Sequence, residues 1–297
     1  MEKYDVIIIG LGPAGAAAAI YSSRAGLSSV VLEGNAPGGQ VILTDRLENY
    51  PGIAAVEGWK LATDMLGQVE KCGAKVVYER VSRVDLAAKI VETGSHSFEA
   101  GAIIIAGGAS ARRLGLPGEE KLIGRGISYC AVCDGGFYKG KTVAVVGGGE
   151  TADGDAIYLS RICEKVYLIH RRDSLRASKS KQKLLFNCNN VEVFYNSTVA
   201  ELETDGRLTG VLLGSGQRIG LDGLFVAIGS QPDTSIYEGL TLEDGYIVTD
   251  ESMSTAIPGV FAAGDIRSKK VRQVVTAVSD GAIAAISAAE YLEEKGS

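Results

Sequence analysis

One short pattern occurs twice in this chain, and few folds accommodate it. Tyr4-Asp5-Val6-Ile7-Ile8-Ile9 is an apolar run that leads into Gly10-Leu11-Gly12-Pro13-Ala14-Gly15 and then an alanine-rich stretch to about Arg24. Thr142-Val143-Ala144-Val145-Val146 repeats the run, followed by Gly147-Gly148-Gly149-Glu150-Thr151-Ala152 and a helical stretch to about Arg161. Each copy predicts a buried strand, a tight turn and a helix. Glycines in the turn let the backbone and the first helical amides approach a pyrophosphate. A single turn of this kind is weak, whereas two in the same setting form an internal repeat.

The repeat predicts the α/β class, with two Rossmann-like dinucleotide-binding domains. The residues beyond each turn separate their ligands. After the first, Ser29-Val30-Val31-Leu32 reads as a second strand ending in Glu33, whose carboxylate can accept from ribose hydroxyls. After the second, Lys165-Val166-Tyr167-Leu168-Ile169 ends in His170-Arg171-Arg172, with Arg176 just beyond. Cations at that position suit a 2′-phosphate, and guanidinium groups bind phosphate in bidentate fashion. The first half is therefore expected to bind a dinucleotide with free ribose hydroxyls, such as FAD, and the second NADP.

Further apolar strands ending in glycine are read at Ile103–Gly108, Leu224–Gly229 and Val260–Gly264, with Asp265 following the last. The segment from about Arg272 to Tyr291 is rich in small residues and predicts a closely packed helix. Linkers are expected near Arg112–Gly118 and Thr241–Tyr246, so the second nucleotide domain is an insertion within the first. The expected bounds are 1–114 with 245–297 for the FAD domain and 115–244 for the NADP domain. A length of 297 residues is enough for two cores. The net charge of −6, with no basic block, argues against nucleic-acid binding. No apolar stretch approaches 18 residues, and the N-terminus has acids around its apolar run, so neither a membrane span nor a signal peptide is expected. The reading is a cytoplasmic protein.

Five cysteines occur, at positions 72, 130, 133, 163 and 188. Cys130-Ala131-Val132-Cys133 is the one close pair, a candidate redox or metal site. Two thiols at that spacing can close a small disulfide that exchanges with other dithiols, and the adjacent Asp134 is a natural proton donor or acceptor for a thiolate. Structural zinc needs four ligands; there is no second such pair, and His96 and His170 are the only histidines, so no metal is expected. Cys72, Cys163 and Cys188 read as buried, inert thiols.

Taken in order, the first glycine turn, Cys130-Ala131-Val132-Cys133-Asp134, the second turn, the His170–Arg176 cluster and Ala263-Gly264-Asp265 resemble the low-molecular-weight thioredoxin reductases. These are FAD-dependent pyridine nucleotide-disulfide oxidoreductases. The likeness runs from Tyr4 to Tyr291. It implies FAD, NADPH, a homodimer and the disulfide of thioredoxin as substrate. The FAD contacts it implies are Gly10, Gly12, Pro13, Ala14, Gly15, Glu33, Gly39, Gln40, Asn49, Gly264, Asp265, Arg272, Gln273 and Val274. For NADPH it implies Gly147, Gly149, Thr151, His170, Arg171, Arg172 and Arg176. Cys130, Cys133 and Asp134 would be catalytic, with Cys133 nearest the flavin. It also implies a swivel between two domain orientations.

The chain departs from the family pattern in places. Val132 replaces a usual threonine, as does Gly107. After the second turn, Asp153-Gly154-Asp155 stands where the family has an apolar residue and two glutamates. Gly154 within a helix costs about 1 kcal/mol relative to alanine. Glu150 at the turn could repel a pyrophosphate, although Glu150, Asp153 and Asp155 suit the helix dipole. Alternatives are a similar flavoprotein reduced by a protein donor such as ferredoxin, a dithiol oxidase, and a non-enzymatic FAD-binding redox sensor or metal module. A ferredoxin–NADP reductase would not need the cysteine pair, and a peroxiredoxin-reducing relative would carry an N-terminal thiol domain before the FAD turn.

Overall fold

The computed structural model describes residues 1–44 and 46–296, the side chain of Leu43 excepted. From the N-terminus run β1 (Glu2–Ile9), α1 (Pro13–Arg24), β2 (Ser29–Leu32), α2 (Gly58–Lys71) and β3 (Lys75–Val77). Next come β4 (Val81–Asp85), β5 (Ile90–Thr93), β6 (Ser97–Ile105) and β7 (Ala109–Ala111). Then come α3 (Glu119–Leu122), β8 (Ile127–Ser128) and α4 (Ala131–Asp134). The second strand–turn–helix is β9 (Thr142–Gly147) with α5 (Glu150–Ser160), continued by β10 (Lys165–Ile169), α6 (Lys179–Phe186) and β11 (Val191–Phe194). Strands β12 (Val199–Thr204), β13 (Leu208–Leu213), β14 (Arg218–Gly220), β15 (Gly223–Ala227) and β16 (Ser230–Pro232) come after it. The chain closes with β17 (Leu242–Glu243), β18 (Tyr246–Ile247), β19 (Val260–Ala262) and α7 (Val274–Gly296).

Two compact units result. One comprises Met1–Asp45, Tyr50–Ser110 and Gln231–Ser297, the other Ala111–Ser230 with Arg46–Asn49. The second boundary thus falls at Ser230/Gln231, ahead of the Thr241–Tyr246 linker read from the sequence. Burial is the reason: Tyr237, with Ile236 and Leu240 beside it, packs into the first unit's core. Strands β7 and β16, which carry the chain out of and back into the first unit, pair with each other.

In the first unit the sheet order is β3-β2-β1-β6-β5-β4, with β19 also on β6. Strand β1 is parallel to both neighbours, Ile7 standing opposite Val30 and Ile103. Successive side chains point to opposite faces. Val6, Ile8, Val31 and Ile104 enter a core shared with the alanines of α1 and α7, while Ile7, Ile9, Val30 and Ile103 enter a second core. Burial on both faces is why β1 reads as an unbroken apolar run. Helices α1 and α7 approach closely because of small residues; a Cβ on Gly281 would lie 2.0 Å from the Ala14 carbonyl oxygen.

The second unit repeats the plan with a parallel sheet, β11-β10-β9-β15-β8. Val143, Val145, Val166 and Phe225 pack against Ala152, Ala156 and Leu159 of α5. The other face is covered by β12–β14, through Leu208, Val211 and Leu213. Among the described residues no helix is long and apolar enough to cross a membrane.

Candidate redox site and nucleotide-binding turns

In the first unit the turn after β1 requires its glycines. Gly10 has φ of 102°, and a Cβ there would meet the Ala106 carbonyl oxygen at 2.5 Å; one on Gly15 would fall 1.8 Å from the Gly10 carbonyl oxygen. At Gly12 the nearest atom is 4.0 Å away, so the turn leaves open space on that side. Pro13 begins α1, where its missing N–H is no loss. Glu33 is buried, and its carboxylate accepts from Leu11 N–H at 2.7 Å and Asn35 N–H at 2.8 Å. Each carboxylate oxygen can accept a second bond, so capacity for a ribose diol remains.

Gly39 begins a short 3-10 turn, and its Cβ position lies 3.5 Å from Gly12 Cα; Gln40 beside it is exposed. From the far end of the chain, Gly264 abuts Ala14, a Cβ there coming within 2.8 Å of the alanine's methyl. Asp265 is mostly buried, and its Oδ1 has no partner among the described residues. Burial raises the Asp265 carboxyl above its usual range. Arg272 donates from Nε to the Asp265 carbonyl at 3.5 Å and stacks 4.1 Å over the Tyr246 ring. Gln273 and Val274 stand at the start of α7, where Gln273 N–H donates to Thr276 Oγ1. Asn49 is exposed and belongs to the segment grouped with the second unit. An orphaned buried acceptor at Asp265 and a turn with no room for side chains fit a bound dinucleotide such as FAD.

In the second unit a Cβ on Gly147 would lie 2.4 Å from the Ala227 carbonyl oxygen, and one on Gly148 would lie 2.1 Å from the His170 ring. His170 is therefore beneath the turn: it is buried, with Nε2 3.0 Å from the Ser174 carbonyl oxygen. Arg176 is fastened to the turn by its N–H to the Gly148 carbonyl at 2.7 Å, and Gly149 caps α5. Arg171, Arg172, Arg176 and Thr151 are exposed, and none of the three arginines forms an ion pair among the described residues.

The unusual residues of α5 find their explanation here. Glu150 accepts from Ser178 N–H through Oε1, and its Oε2 is 3.4 Å from Lys181 Nζ. The Ser178 bonds, with Lys181, hold the Glu150 carboxyl below its usual range. Its charge is thus taken up by α6. Gly154 allows this, because a Cβ there would stand 3.0 Å from Lys181 Nζ. Asp153 is fully buried and neither carboxylate oxygen has a partner among the described residues; burial pushes it up to about 6 and Asp155 up to about 7.

The cysteine pair lies at the opposite end of α5. Cys130 and Cys133 are joined in a disulfide, with their Cα atoms 5.3 Å apart. Cys130 is the N-cap of α4, and Cys133 N–H donates to its sulfur at 3.2 Å. Ala131 is buried in the core, and Gly135 passes so close to α5 that a Cβ would meet the Tyr158 ring at 2.9 Å. Asp134 accepts from Ser128 Oγ at 2.6 Å. Ser128 was invisible to motif reading, since it precedes the pair on a different element. Of the other thiols, Cys163 is buried and pushed up to about 11 by that burial. Cys72 is exposed and Cys188 half-buried, contrary to the expectation that all three are core, because Cys72 is the C-cap of α2 and Cys188 follows Asn187, the C-cap of α6. No group of three or more His, Cys, Asp or Glu among the described residues is placed to hold a metal ion.

Two glycine turns and a bonded cysteine pair define a class of enzyme that moves electrons between nucleotides and a disulfide. Known proteins agree. A family model for pyridine nucleotide-disulphide oxidoreductases matches residues 4–281. The chain is 46% identical to the thioredoxin reductase of Bacillus subtilis, over 98% of its own length and 95% of that protein. It is equally similar to the thioredoxin reductase of Listeria monocytogenes, covering 94% of it. The crystal structure of thioredoxin reductase from Streptococcus pyogenes superposes with a TM-score of 0.93 at 42% identity, covering 98% of this chain and 99% of that one. The chain belongs to the pyridine nucleotide-disulphide oxidoreductase family.

Proposed function

We propose that this chain is a thioredoxin-disulfide reductase, an FAD-dependent oxidoreductase that takes its electrons from NADPH. The observation that carries the reading is the bonded Cys130–Cys133 pair with Asp134 beside it, set on the second of two glycine-turn folds. FAD bound in the first unit supplies a two-electron relay between reduced nicotinamide and the disulfide. Gly10, Gly12, Pro13, Ala14 and Gly15 would hold its pyrophosphate and Glu33 its ribose. Gly39, Gln40, Asn49, Gly264, Arg272, Gln273 and Val274 would complete the site, with a donor reaching the orphaned Asp265 oxygen. For NADPH, Gly147, Gly149 and Thr151 offer backbone at the head of α5, while Arg171, Arg172 and Arg176 meet the 2′-phosphate. His170 supports the turn from beneath.

At the disulfide, two electrons break the S–S bond. The Cys133 amide already points at Cys130 sulfur and stabilises a thiolate there. Asp134 supplies a proton as one sulfur becomes a thiol, and takes one back when a thiolate is needed. A thiolate of the pair then attacks the thioredoxin disulfide, the resulting mixed disulfide is resolved by the second cysteine, and Cys130–Cys133 re-forms as thioredoxin leaves reduced. Thioredoxin is the macromolecular partner, the working form a homodimer and the compartment the cytoplasm.

A protein donor such as ferredoxin is the competing reading; the three exposed arginines, without an ion pair among the described residues, favour NADPH over it. Anaerobic titration with NADPH, NADH and reduced ferredoxin, following flavin absorbance, tests the choice. Bleaching by NADPH far faster than by the others supports the proposal, and bleaching by ferredoxin alone overturns it. Oxidised thioredoxin added to the NADPH-reduced enzyme should restore the yellow form anaerobically.

A further inference from the structure

We infer that Ser128 is a positioning residue for the dithiol chemistry, acting through Asp134. The inference rests on the proposed role of Asp134. Ser128 ends β8, buried, two residues before Cys130. Its hydroxyl stands at the centre of three contacts: Asp134 Oδ2 at 2.6 Å, Cys130 N–H at 3.1 Å and the Cys130 carbonyl oxygen at 3.4 Å. A serine hydroxyl has one proton and two acceptor sites. The amide must donate to the oxygen, so the proton goes to one of the other two partners. The shorter contact to a carboxylate takes it, because charge-assisted bonds are the stronger.

Ser128 therefore ties the Cys130 backbone and the Asp134 side chain to one rigid strand. Strand β8 is fixed in turn by its parallel pairing with β15, Ser128 standing opposite Phe225 in the core. Two consequences arise. The carboxyl keeps one orientation relative to Cys130 while the S–S bond opens and closes. A hydroxyl donating to the ionised form also favours that form, and so lowers the pH at which Asp134 gives up its proton. When two electrons enter the disulfide, one sulfur departs as a thiolate; a proton passing from Asp134 makes it a thiol and leaves a carboxylate, which the Ser128 hydroxyl stabilises. A titratable group that feels Asp134 is Tyr138, whose phenol is raised by burial and which also feels Arg207 and Asp222. A phenol so raised stays neutral throughout the working range, whereas the serine hydroxyl is bonded directly to the Asp134 carboxylate.

The test is the pH profile of thioredoxin reduction by holoenzyme carrying Ser128→Ala, Ser128→Thr or Asp134→Asn. Ser128→Ala should move the limb governed by Asp134 upward by about one pH unit, the loss of one hydrogen bond to a charged group. It should slow thioredoxin reduction about tenfold near neutrality while NADPH still bleaches the flavin at the wild-type rate. Ser128→Thr, which keeps the hydroxyl, should restore the wild-type limb. An unshifted limb in Ser128→Ala, or equal slowing of flavin bleaching and thioredoxin reduction, would overturn the inference. If Asp134→Asn is as active as wild type, the role of Asp134 itself fails; if it is crippled while Ser128→Ala is unshifted, only the serine's role fails.

Discussion

Asp153 offers a quantitative check on how burial acts in this fold. It lies in α5, fully buried, with neither oxygen hydrogen-bonded among the described residues. Burial pushes its carboxyl from 3.8 to about 6. At about 1.4 kcal/mol per pH unit, holding it ionised in the fold costs about 3 kcal/mol. Linkage gives the sign. The folded chain keeps the proton up to about pH 6 and the unfolded chain releases it near 3.8, so stability falls as pH rises through that window and is level above it. Asp153→Asn keeps the shape and hydrogen-bonding atoms of the protonated acid and removes the ionisation. It should leave stability unchanged near pH 4 and raise it by up to about 3 kcal/mol at pH 8. Urea unfolding of holoenzyme followed by circular dichroism, with hydrogen exchange of α5 amides to localise the effect, measures this at several pH values. A gain of equal size at pH 5 and pH 8, or a loss at pH 8, would refute burial of the charge as the cause.

The geometry sets three other outcomes. Gly148→Ala places a methyl in the His170 ring; it should displace the second turn and weaken NADPH binding at least tenfold in titrations, with FAD content unchanged. Replacing Arg171, Arg172 or Arg176 by glutamine, one at a time, should raise KM for NADPH by one to two orders of magnitude and leave that for NADH nearly unaltered, since each charge-assisted hydrogen bond removed is worth about 1.5–3 kcal/mol. Asp280 is the third: its Oδ2 takes Gly264 N–H at 3.1 Å, Lys269 Nζ at 2.8 Å and Arg267 Nη1 at 3.0 Å, all well buried. Asp280→Ala strands two cations and should cost about 3–5 kcal/mol. It should also release the Gly264–Asp265 segment, read as faster loss of FAD on dilution. Retention of FAD at the wild-type rate would show that the triad does not support that segment.

What the sequence determined by itself is local. Apolar runs buried on both faces, glycines where a Cβ would strike a carbonyl, and a proline opening α1 are constraints written within a few residues. So Gly10, Gly15 and Gly147 were legible, as were the two strand–turn–helix units and the close cysteine pair. The place of Glu33 at the end of the second strand was legible too, because strand length sets how far that strand reaches, but its bond to the Leu11 amide of the turn was not. Charges were harder to read. Glu150 looked like an obstacle to pyrophosphate until α6 brought Ser178 and Lys181 onto it, and Gly154 looked like a flaw until Lys181 was seen to cross it. His170 looked like a cation beside two arginines, yet alternation along β10 and its exit turned the ring under Gly148. The boundary at Ser230 depended on where Tyr237 finds a core. Ser128 meets Asp134 only because β8 and the following turn bring them together. Each of these is a pairing between side chains from separate elements, and a hydrogen bond or a buried charge depends on distances of a few ångströms that spacing along the chain does not specify; only the packed sheets and helices decide them.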